Sequence, residues 1–298
     1  MIRGIFAFMA LLAVAMIPAA AQAAVPTVNF CSGVKDGNYD FAAIQFAQQA
    51  KGILNVNVIN TAGSLENLTK IDKGECDAAI VQSDAYGVYM KQNSHSSLNI
   101  ERGRALYSEY VHFICNSAAK ITRITQLTAA NTVLIGANGG GTSVTWDSFK
   151  LADAKRYGPV QTLPIGGLRA VNKVQEGSDA QCMMYVTGLK SASINEANKV
   201  ALNSSGRLVL VAADDGDLPG LKDPKGKPIY TKLDIPSGTY PGGLQPSALF
   251  GSSVSTIAVE AVFVTNSNYI DAHEGDYNSL LRAVNNAMPA VMARVTPK

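Results

Sequence analysis

The sequence predicts an α/β protein in which short strands alternate with helices through both halves of the chain. Apolar runs with strand character are followed by segments whose apolar residues recur at helical spacing. Hydrophobic residues make up 47% of the 298 residues and charged residues only 16%, which is enough to bury a large core. Several strands end in small polar residues, and in an open α/β sheet that edge is where ligands bind.

The first 23 residues are typical of an export signal. Arg3 supplies the positive charge, Ile5–Ile17 is apolar, and Ala21-Gln22-Ala23 fits a cleavage pattern of small residues. The apolar segment is short for a membrane-spanning helix, which needs about 20 residues. We therefore expect cleavage after Ala23 and release of the mature protein into the periplasm, with an uncleaved membrane anchor as the alternative.

Three strand-to-helix junctions follow in the first third of the mature chain. Their strands are expected at residues 25–30, 54–59 and 78–81. After the second strand the chain turns at Gly63, and Ser64 is the expected N-cap of a helix that has Asn67 in its first turn. The unpaired N–H groups at a helix start favour a carboxylate or phosphate. Plain capping by Ser64 is the alternative interpretation.

A second series of strands and helices is expected after residue 106. Its strands are predicted at residues 106–115, 132–137, 160–164, 180–186, 208–212 and 256–265. A glycine-rich turn at 139–143 matches neither a P-loop nor the G-x-G-x-x-G pattern, so nucleotide binding is not expected. Residues 214–227 are interpreted as a surface excursion and 235–243 as a turn-rich connector. Tyr277–Val295 has a helical pattern, and Pro289 is expected to kink or break that helix.

The four cysteines lie in the expected mature chain, at Cys31, Cys76, Cys115 and Cys182. In an oxidising compartment an even number permits two disulfides, with three alternative pairings. Each cysteine also lies in or beside an apolar run, so buried free thiols are an equally good interpretation. There is no C-x-x-C spacing, which argues against a metal knuckle or a thioredoxin-like site.

The sequence lacks the patterns that identify common catalytic or metal chemistry. None of its histidines, His95, His112 and His273, has metal-ligand spacing, and no G-x-S-x-G nucleophile motif occurs. The net charge of +2, without a dense Lys/Arg cluster, argues against nucleic-acid binding. Trp146 is expected in the interior rather than against a ligand. We expect a protein that is not an enzyme and that uses neither a metal nor another cofactor.

Three segments are distinctive as sequence motifs: TAGSLENL at 61–68, GECDAAIVQSD at 74–84 and IPSGTYPG at 235–242. Together they resemble the TAXI family of extracytoplasmic solute receptors, which serve tripartite ATP-independent periplasmic (TRAP) transporters. The matches fall in the family's order and extend over nearly the whole mature chain. Shorter matches occur at 37–39, 139–142 and 177–180.

The resemblance implies a type II periplasmic-binding fold, in which two α/β lobes are joined by crossing strands and ligand lies in the cleft between them. The crossing strands are then Leu106–Cys115 and Thr256–Thr265. We expect one lobe from residues 24–113 plus 257–298 and the other from 114–256. Family ligands are small carboxylates such as glutamate or 2-oxoglutarate. The implied protein is a monomeric receptor that delivers such an anion to the membrane subunits of a TRAP transporter.

Residues at the strand ends and helix starts are expected to contact the ligand from both lobes. Two opposed helix N-termini can hold an anion without an arginine, and Arg169 is either a supplement to them or a surface residue. The candidate ligand-binding residues are Ser32, Tyr39, Gly63, Ser64, Asn67, Gln82, Ser83, Asp84, Gly141, Thr142, Ser143, Arg169 and Tyr185. The alternatives are a sensory or accessory binding protein without a transporter, and an exported enzyme built on the same fold.

Overall fold

The computed structural model describes residues 24–189, 191–204, 207–223, 226–245 and 253–296. The expected export signal, residues 1–23, lies outside the described residues. The strands of the described residues are β1 Thr27–Cys31, β2 Asn55–Ile59, β3 Ala78–Gln82, β4 Ile100–Asn116, β5 Thr132–Leu134, β6 Gln161–Leu163, β7 Cys182–Thr187, β8 Leu208–Val211, β9 Tyr230–Ile235 and β10 Val254–Asn266. The helices are α1 Asn38–Ala50, α2 Ser64–Asp72, α3 Ser83–Gln92, α4 Gly141–Ala152, α5 Ala154–Tyr157, α6 Gly167–Glu176, α7 Ala192–Asn203, α8 Ser267–Ala272 and α9 Glu274–Val295.

The strands form one mixed sheet in the order β2-β1-β3-β10-β4-β7-β5-β6, with β8 beside β4 and β9 beside β10. We call β2, β1, β3 and the adjoining parts of β10 and β4 the first half of the sheet. The second half comprises β7, β5, β6, β8, β9 and the remaining parts of β4 and β10. Because helices and strands alternate along the chain, the predicted α/β class is confirmed.

The first half of the sheet has helices on both faces. β1 pairs in parallel with β2 and β3, and β10 runs antiparallel to β3. Ala78 and Ile80 of β3 pack in a cluster with α1 and α9. Ala79 and Val81 point the other way, into a cluster with α2 and α3. A strand covered on both faces has no polar positions, which is why residues 78–81 form a continuous apolar run.

The second half of the sheet is covered in the same way. β7 is antiparallel to β4 and parallel to β5, which is parallel to β6. Trp146 and Phe149 of α4 pack on one face with Met184. Val171 of α6 packs on the other face with Met183. Trp146 is fully buried, as predicted from the sequence.

Two long strands, β4 and β10, take part in both halves of the sheet. β10 pairs with β3 through residues 261–265 and with β9 through residues 254–259. β4 pairs with β10 along much of its length and then with β7 and β8. The prediction that strands at these two places connect the halves is confirmed, and both strands extend beyond the predicted bounds.

All four cysteines form disulfides, and none is a free thiol. Cys31 at the end of β1 is joined to Cys76, and Cys115 of β4 is joined to Cys182 of β7. These pairings decide between the alternatives that the sequence leaves open. Each disulfide stays within one half of the sheet, so neither ties the two halves together.

The break expected at Pro289 is absent, and two elements of the second half of the fold were not predicted from the sequence. α9 is one continuous helix, so Pro289 does not break it. Proline removes one backbone hydrogen bond, but Leu280, Val284 and Val291 bury one face of α9 in the first half of the fold. The sequence also gave no sign of α7. It likewise gave no sign of β9, in which only the first and last residues, Tyr230 and Ile235, are buried.

The expected surface excursion at 214–227 is partly buried. Its Asp223 side chain is 0% exposed and forms an ion pair with Arg102 of β4, whose side chain is 3% exposed. Leu218 is fully buried in the same segment. A segment rich in Gly, Asp, Pro and Lys is usually solvated, but this one covers the edge of the core and neutralises a buried arginine.

Candidate functional site

A cleft of about 290 Å³ lies between the two halves of the sheet. One wall is formed by the loops after β1 and β2 and by the starts of α1 and α2. The other wall is formed by the starts of α4 and α7 and the end of β7. Ligand sites usually measure about 300 to 1,000 Å³, so this cleft has the size for a small solute.

Three helices around the cleft begin at a glycine. Gly37, Gly63 and Gly140 are the N-cap residues of α1, α2 and α4, and no side chain caps these helices. Ser64 is therefore not the N-cap that the sequence predicted. It is the first residue of α2, and its Oγ accepts a hydrogen bond from the Gln82 backbone N–H at 3.0 Å. The helix starts keep N–H groups and positive dipole ends directed at the cleft.

The starts of α2 and α4 face each other across the cleft. Gly63 has φ of +134°, which only glycine adopts readily, and a Cβ built on it would lie 3.9 Å from Gly141 N. A Cβ on Gly141 would collide with the Gln82 side chain. Glycine at both positions therefore allows the two walls to approach closely.

The floor of the cleft contains a buried carboxyl group. Glu109 of β4 is 4% exposed, and its Oε2 accepts a hydrogen bond from Tyr39 Oη at 2.9 Å. Burial raises the pKa of Glu109 to about 7, although hydrogen bonds from Tyr39 and Gln82 oppose that rise. Burial also raises the pKa of Tyr39, which keeps its hydroxyl protonated as a donor. Near neutral pH, Glu109 is divided between its protonated and charged forms.

Gln82 lies beside this carboxyl group with one atom unsatisfied. The side chain is 3% exposed, and its Oε1 has no hydrogen-bond partner among the described residues. Buried polar atoms in folded proteins nearly always have a partner. The exception here is an acceptor oxygen in the lining of the cleft.

The second wall is held by hydrogen bonds to β7. Thr142 Oγ1 accepts from Val186 N at 3.2 Å, and Tyr185 Oη donates to Gly167 O at 2.8 Å. These bonds fix α4 and the start of α6 on the sheet. The chemistry that this wall offers a ligand is therefore that of backbone N–H groups and hydroxyls.

Arg294, from the end of α9, is the one Lys or Arg among the described residues that line the cleft. Its Nη2 donates to Asp36 O at 2.9 Å, and its guanidinium lies 4.5 Å from the Phe41 ring centroid. It forms no ion pair with a carboxylate of the described residues. Its positive charge is thus held at the cleft without a counter-ion from the described part of the chain.

Seven of the thirteen candidate residues line the cleft: Tyr39, Gly63, Ser64, Gln82, Gly141, Thr142 and Tyr185. The other six are Ser32, Asn67, Ser83, Asp84, Ser143 and Arg169. Arg169 is exposed and does not reach the cleft lining. Ser143 is buried, and its Oγ donates to Gly140 O at 3.1 Å within α4.

Asn67 and Ser32 form hydrogen bonds inside the protein instead of lining the cleft. Asn67 Nδ2 donates to Ser32 O at 2.7 Å and to Ile80 O at 2.8 Å, which joins α2 to two strands. Ser32 Oγ donates to Ile59 O at 3.2 Å. Their side chains are fully buried because they occupy the inner faces of the elements that carry them.

Asp84 and Ser83 form a buried network between the two halves of the fold. Asp84 Oδ2 accepts from Thr145 Oγ1 at 2.6 Å and from Tyr230 Oη at 3.1 Å. Ser83 Oγ donates to Ile229 O and accepts from the Glu260 backbone N–H, each at 3.1 Å. Burial raises the pKa of Asp84, and its hydrogen bonds oppose that rise.

Sequence reasoning missed several cleft residues. Glu109 carried a signal, since it is the one acidic residue inside the apolar run 106–115. Asn38 lay in a motif that was noticed, and its Nδ2 donates across the cleft to Thr187 Oγ1 at 3.3 Å. Arg294 gave no local signal, because its position depends on the docking of α9 against α1.

One group of carboxylates has the spacing of a metal site. Asp153, Asp215 and Asp217 have ligand atoms within 4.8 Å of one another, away from the cleft. Two of them already accept hydrogen bonds, from Arg156 Nε at 3.0 Å and Tyr157 Oη at 2.6 Å. Their oxygens are therefore used by protein donors.

Comparison with known proteins places the fold in a family. Residues 40–274 match the model of the NMT1-like family. The chain belongs to the NMT1-like family. No curated protein matches its sequence. Among the described residues, no helix of this NMT1-like protein is long and apolar enough to cross a membrane.

Solved structures show which fold this NMT1-like chain has. It resembles a periplasmic sulfonate-binding protein SsuA from Methylobacillus flagellatus KT at 7% identity and a TM-score of 0.52, over 92% of this chain and 74% of that one. A putative L-cystine ABC transporter protein from Listeria monocytogenes matches at 9% and 0.51, over 91% and 96%. Lactococcal OpuAC, closed on glycine betaine, matches at 12% and 0.50, over 90% and 95%. The NMT1-like chain has the type II periplasmic-binding fold of these solute-binding proteins.

Proposed function

We propose that this protein is a periplasmic receptor that captures a small organic anion in the cleft and delivers it to a TRAP-type membrane transporter. The ligand class is a carboxylate or an amino acid, such as glutamate or 2-oxoglutarate. The resemblance of its motifs to the TAXI family supports the transporter type. The protein is then exported, with its signal cleaved near Ala23, and acts as a monomer without catalytic activity.

One observation carries this proposal: three helices with glycine N-caps and no side-chain cap open onto a single cleft. Anions bind at helix starts because the N–H groups there lack partners and the dipole is positive. Arg294 adds a full positive charge to the same cleft. In this account Ser64, Thr142 and the backbone of Gly63 and Gly141 contact the carboxylate.

Closure of two lobes around the ligand is part of the proposal. We assign residues 24–113 with 257–298 to one lobe and residues 114–256 to the other. The participation of β4 and β10 in both halves of the sheet supports hinges in these strands. Because each disulfide stays within one half, the covalent links leave such a hinge free.

The second candidate function differs only in the membrane partner. Two of the similar solved structures are named as ABC transporter proteins, so an ABC-type transporter is the alternative to TRAP. A gene for a large TRAP membrane subunit beside the gene for this protein would favour the first. Genes for an ABC permease and ATPase in that place would favour the second.

Native mass spectrometry of the gently purified protein, followed by thermal unfolding with carboxylates and amino acids, tests the receptor function. A ligand present at 100 times its Kd should stabilise the protein by about 2.7 kcal/mol. A bound anion that is released unchanged would support a receptor. Failure of every small anion to raise the melting temperature, or turnover of the co-purified molecule, would contradict it.

A further inference from the structure

The cleft contains two acceptor groups that an anion alone does not satisfy. Glu109 is buried without an ion-pair partner among the described residues, and its hydrogen bonds come from the neutral side chains of Tyr39 and Gln82. Gln82 Oε1 is buried and has no hydrogen-bond partner among the described residues. Buried charges are normally paired and buried acceptors normally receive a hydrogen bond. The described residues therefore offer Glu109 no cation and Gln82 Oε1 no hydrogen-bond donor.

Hydrogen-bond donors line the same cleft. Helix starts at Gly37, Gly63 and Gly140 and the guanidinium of Arg294 present N–H groups to the ligand. A bare carboxylate would satisfy those donors but would be repelled by a charged Glu109. A molecule with a carboxylate and a cationic amine a few atoms apart satisfies both sets together.

We propose that the ligand is a zwitterionic amino acid whose ammonium group binds Glu109 and Gln82 Oε1. This inference rests on the proposed receptor function and narrows its ligand class. The carboxylate of the amino acid faces the helix starts, and the ammonium donates to the Glu109 carboxylate and to the free oxygen of Gln82. Tyr39 holds Glu109 in place through its hydroxyl and is a positioning residue.

Matched pairs of ligands test the assignment without altering the protein. Alanine and pyruvate, glutamate and 2-oxoglutarate, and leucine and 4-methyl-2-oxopentanoate share their skeletons and differ in an amine or an oxo group. Isothermal titration should give at least one pair in which the amino acid binds about 30-fold more tightly, since hydrogen bonds to charged groups are the strong ones. The N-acetyl derivative of that amino acid should lose a similar factor, because acetylation removes the charge.

A substitution at Glu109 tests whether this residue causes the preference for the amino acid over its oxo acid. Glu109→Gln keeps the size and the hydrogen-bonding shape of the side chain but removes the charge. It should reduce the preference for the amino acid to within about threefold, because a neutral acceptor contributes roughly half as much. Glu176→Gln, an exposed substitution away from the cleft, is the matched control and should leave the preference unchanged.

The outcomes separate this inference from the receptor function. If an oxo acid binds as tightly as its amino acid in every pair that binds, the ammonium assignment is overturned and the anion receptor survives. If Glu109→Gln folds with an unchanged preference, the assignment to Glu109 is likewise overturned. If no member of any pair binds, both the inference and the proposed function fail.

Discussion

Polar residues that are adjacent in the sequence have different roles in the structure. Gln82 and Thr142 line the cleft, whereas the adjacent Ser83 and Ser143 are buried and bonded within the protein. The difference arises because successive side chains on a strand or helix point in different directions. A polar motif at a strand end therefore contains both ligand-facing and structural positions.

Two of the buried acids, Asp84 and Glu109, show the same contrast. Asp84 accepts hydrogen bonds from Thr145, Tyr230 and the Ala85 backbone N–H, so its carboxylate is fully used by the protein. Glu109 accepts hydrogen bonds from Tyr39 and Gln82 and lines the cleft. The first acid joins the halves of the fold, and the second is the group that our proposal assigns to the ligand.

The largest effect is expected for Asp84→Ala. The substitution leaves the hydroxyls of Thr145 and Tyr230 buried without their acceptor, and each unsatisfied group costs about 1 to 3 kcal/mol. We expect the free energy of unfolding to fall by about 3 kcal/mol in urea denaturation. A loss below about 0.5 kcal/mol would show that Asp84 is not part of a structural network.

Glu109→Gln is expected to raise the free energy of unfolding at alkaline pH, whereas Asp84→Ala lowers it. The folded-state pKa of Glu109, about 7, lies above its usual value of 4.5. The folded protein therefore keeps a proton that the unfolded chain releases, and stability is lost as the pH rises from about 4.5 to 7. Each pKa unit corresponds to about 1.4 kcal/mol, so the variant should be about 3 kcal/mol more stable than wild type at pH 8.

The measurement for Glu109 is chemical denaturation at pH 4 and pH 8 without ligand. At pH 4 the two proteins should have similar stability, because Glu109 is protonated in both the folded and the unfolded state to a large extent. A variant that is less stable than wild type at pH 8 would contradict the account. Such a result would mean that the folded protein stabilises the charged carboxylate of Glu109.

A smaller effect, on affinity, is expected for Gly141→Ala. The new methyl group would displace the Gln82 side chain in the cleft, while α4 itself tolerates alanine. Ligand affinity should fall by about tenfold with little change in melting temperature. Gly275→Ala, in the first turn of α9 with open space around it, is the matched control and should bind normally. Unchanged affinity for Gly141→Ala would show that the close approach of the two walls at Gly141 does not contribute to ligand binding.

The smallest effect is expected for the hydroxyls. Thr142→Ala and Ser64→Ala each remove a polar group from the cleft lining and should weaken binding by about threefold, within the range of one neutral hydrogen bond. Ser143→Ala removes a hydroxyl bonded inside α4 and should leave the Kd unchanged. Equal affinities for Thr142→Ala and Ser143→Ala would show that the Thr142 hydroxyl does not contact the ligand.

Much of the fold is encoded in local patterns. The run at residues 78–81 predicted a strand because a strand covered on both faces is apolar throughout. β9 was missed because its exposed positions are filled with Thr231, Lys232 and Asp234, which gives the run little hydrophobic signal. Pro289 does not break α9, because the packing of this helix outweighs one lost hydrogen bond.

The sequence predicted where in the fold the candidate site lies, but not which side chains line it. Strand ends and glycines marked the correct edge of the sheet. Whether Ser64 or Asn67 faces the cleft depends on the rotation of α2 about its axis, which is set by packing on β3. Arg294 reaches the cleft from the far end of the chain, so no local pattern connects it with Asn38.

A crystal structure of the protein with the ligand found by thermal screening tests the central claim most directly. The account predicts density for the ligand between the two halves of the fold, with a carboxylate within about 3 Å of backbone N–H groups at the start of α2 or α4. The buried network around Asp84 should make no contact with it. A ligand bound elsewhere, or one that contacts Asp84 and leaves the helix starts free, would contradict the account.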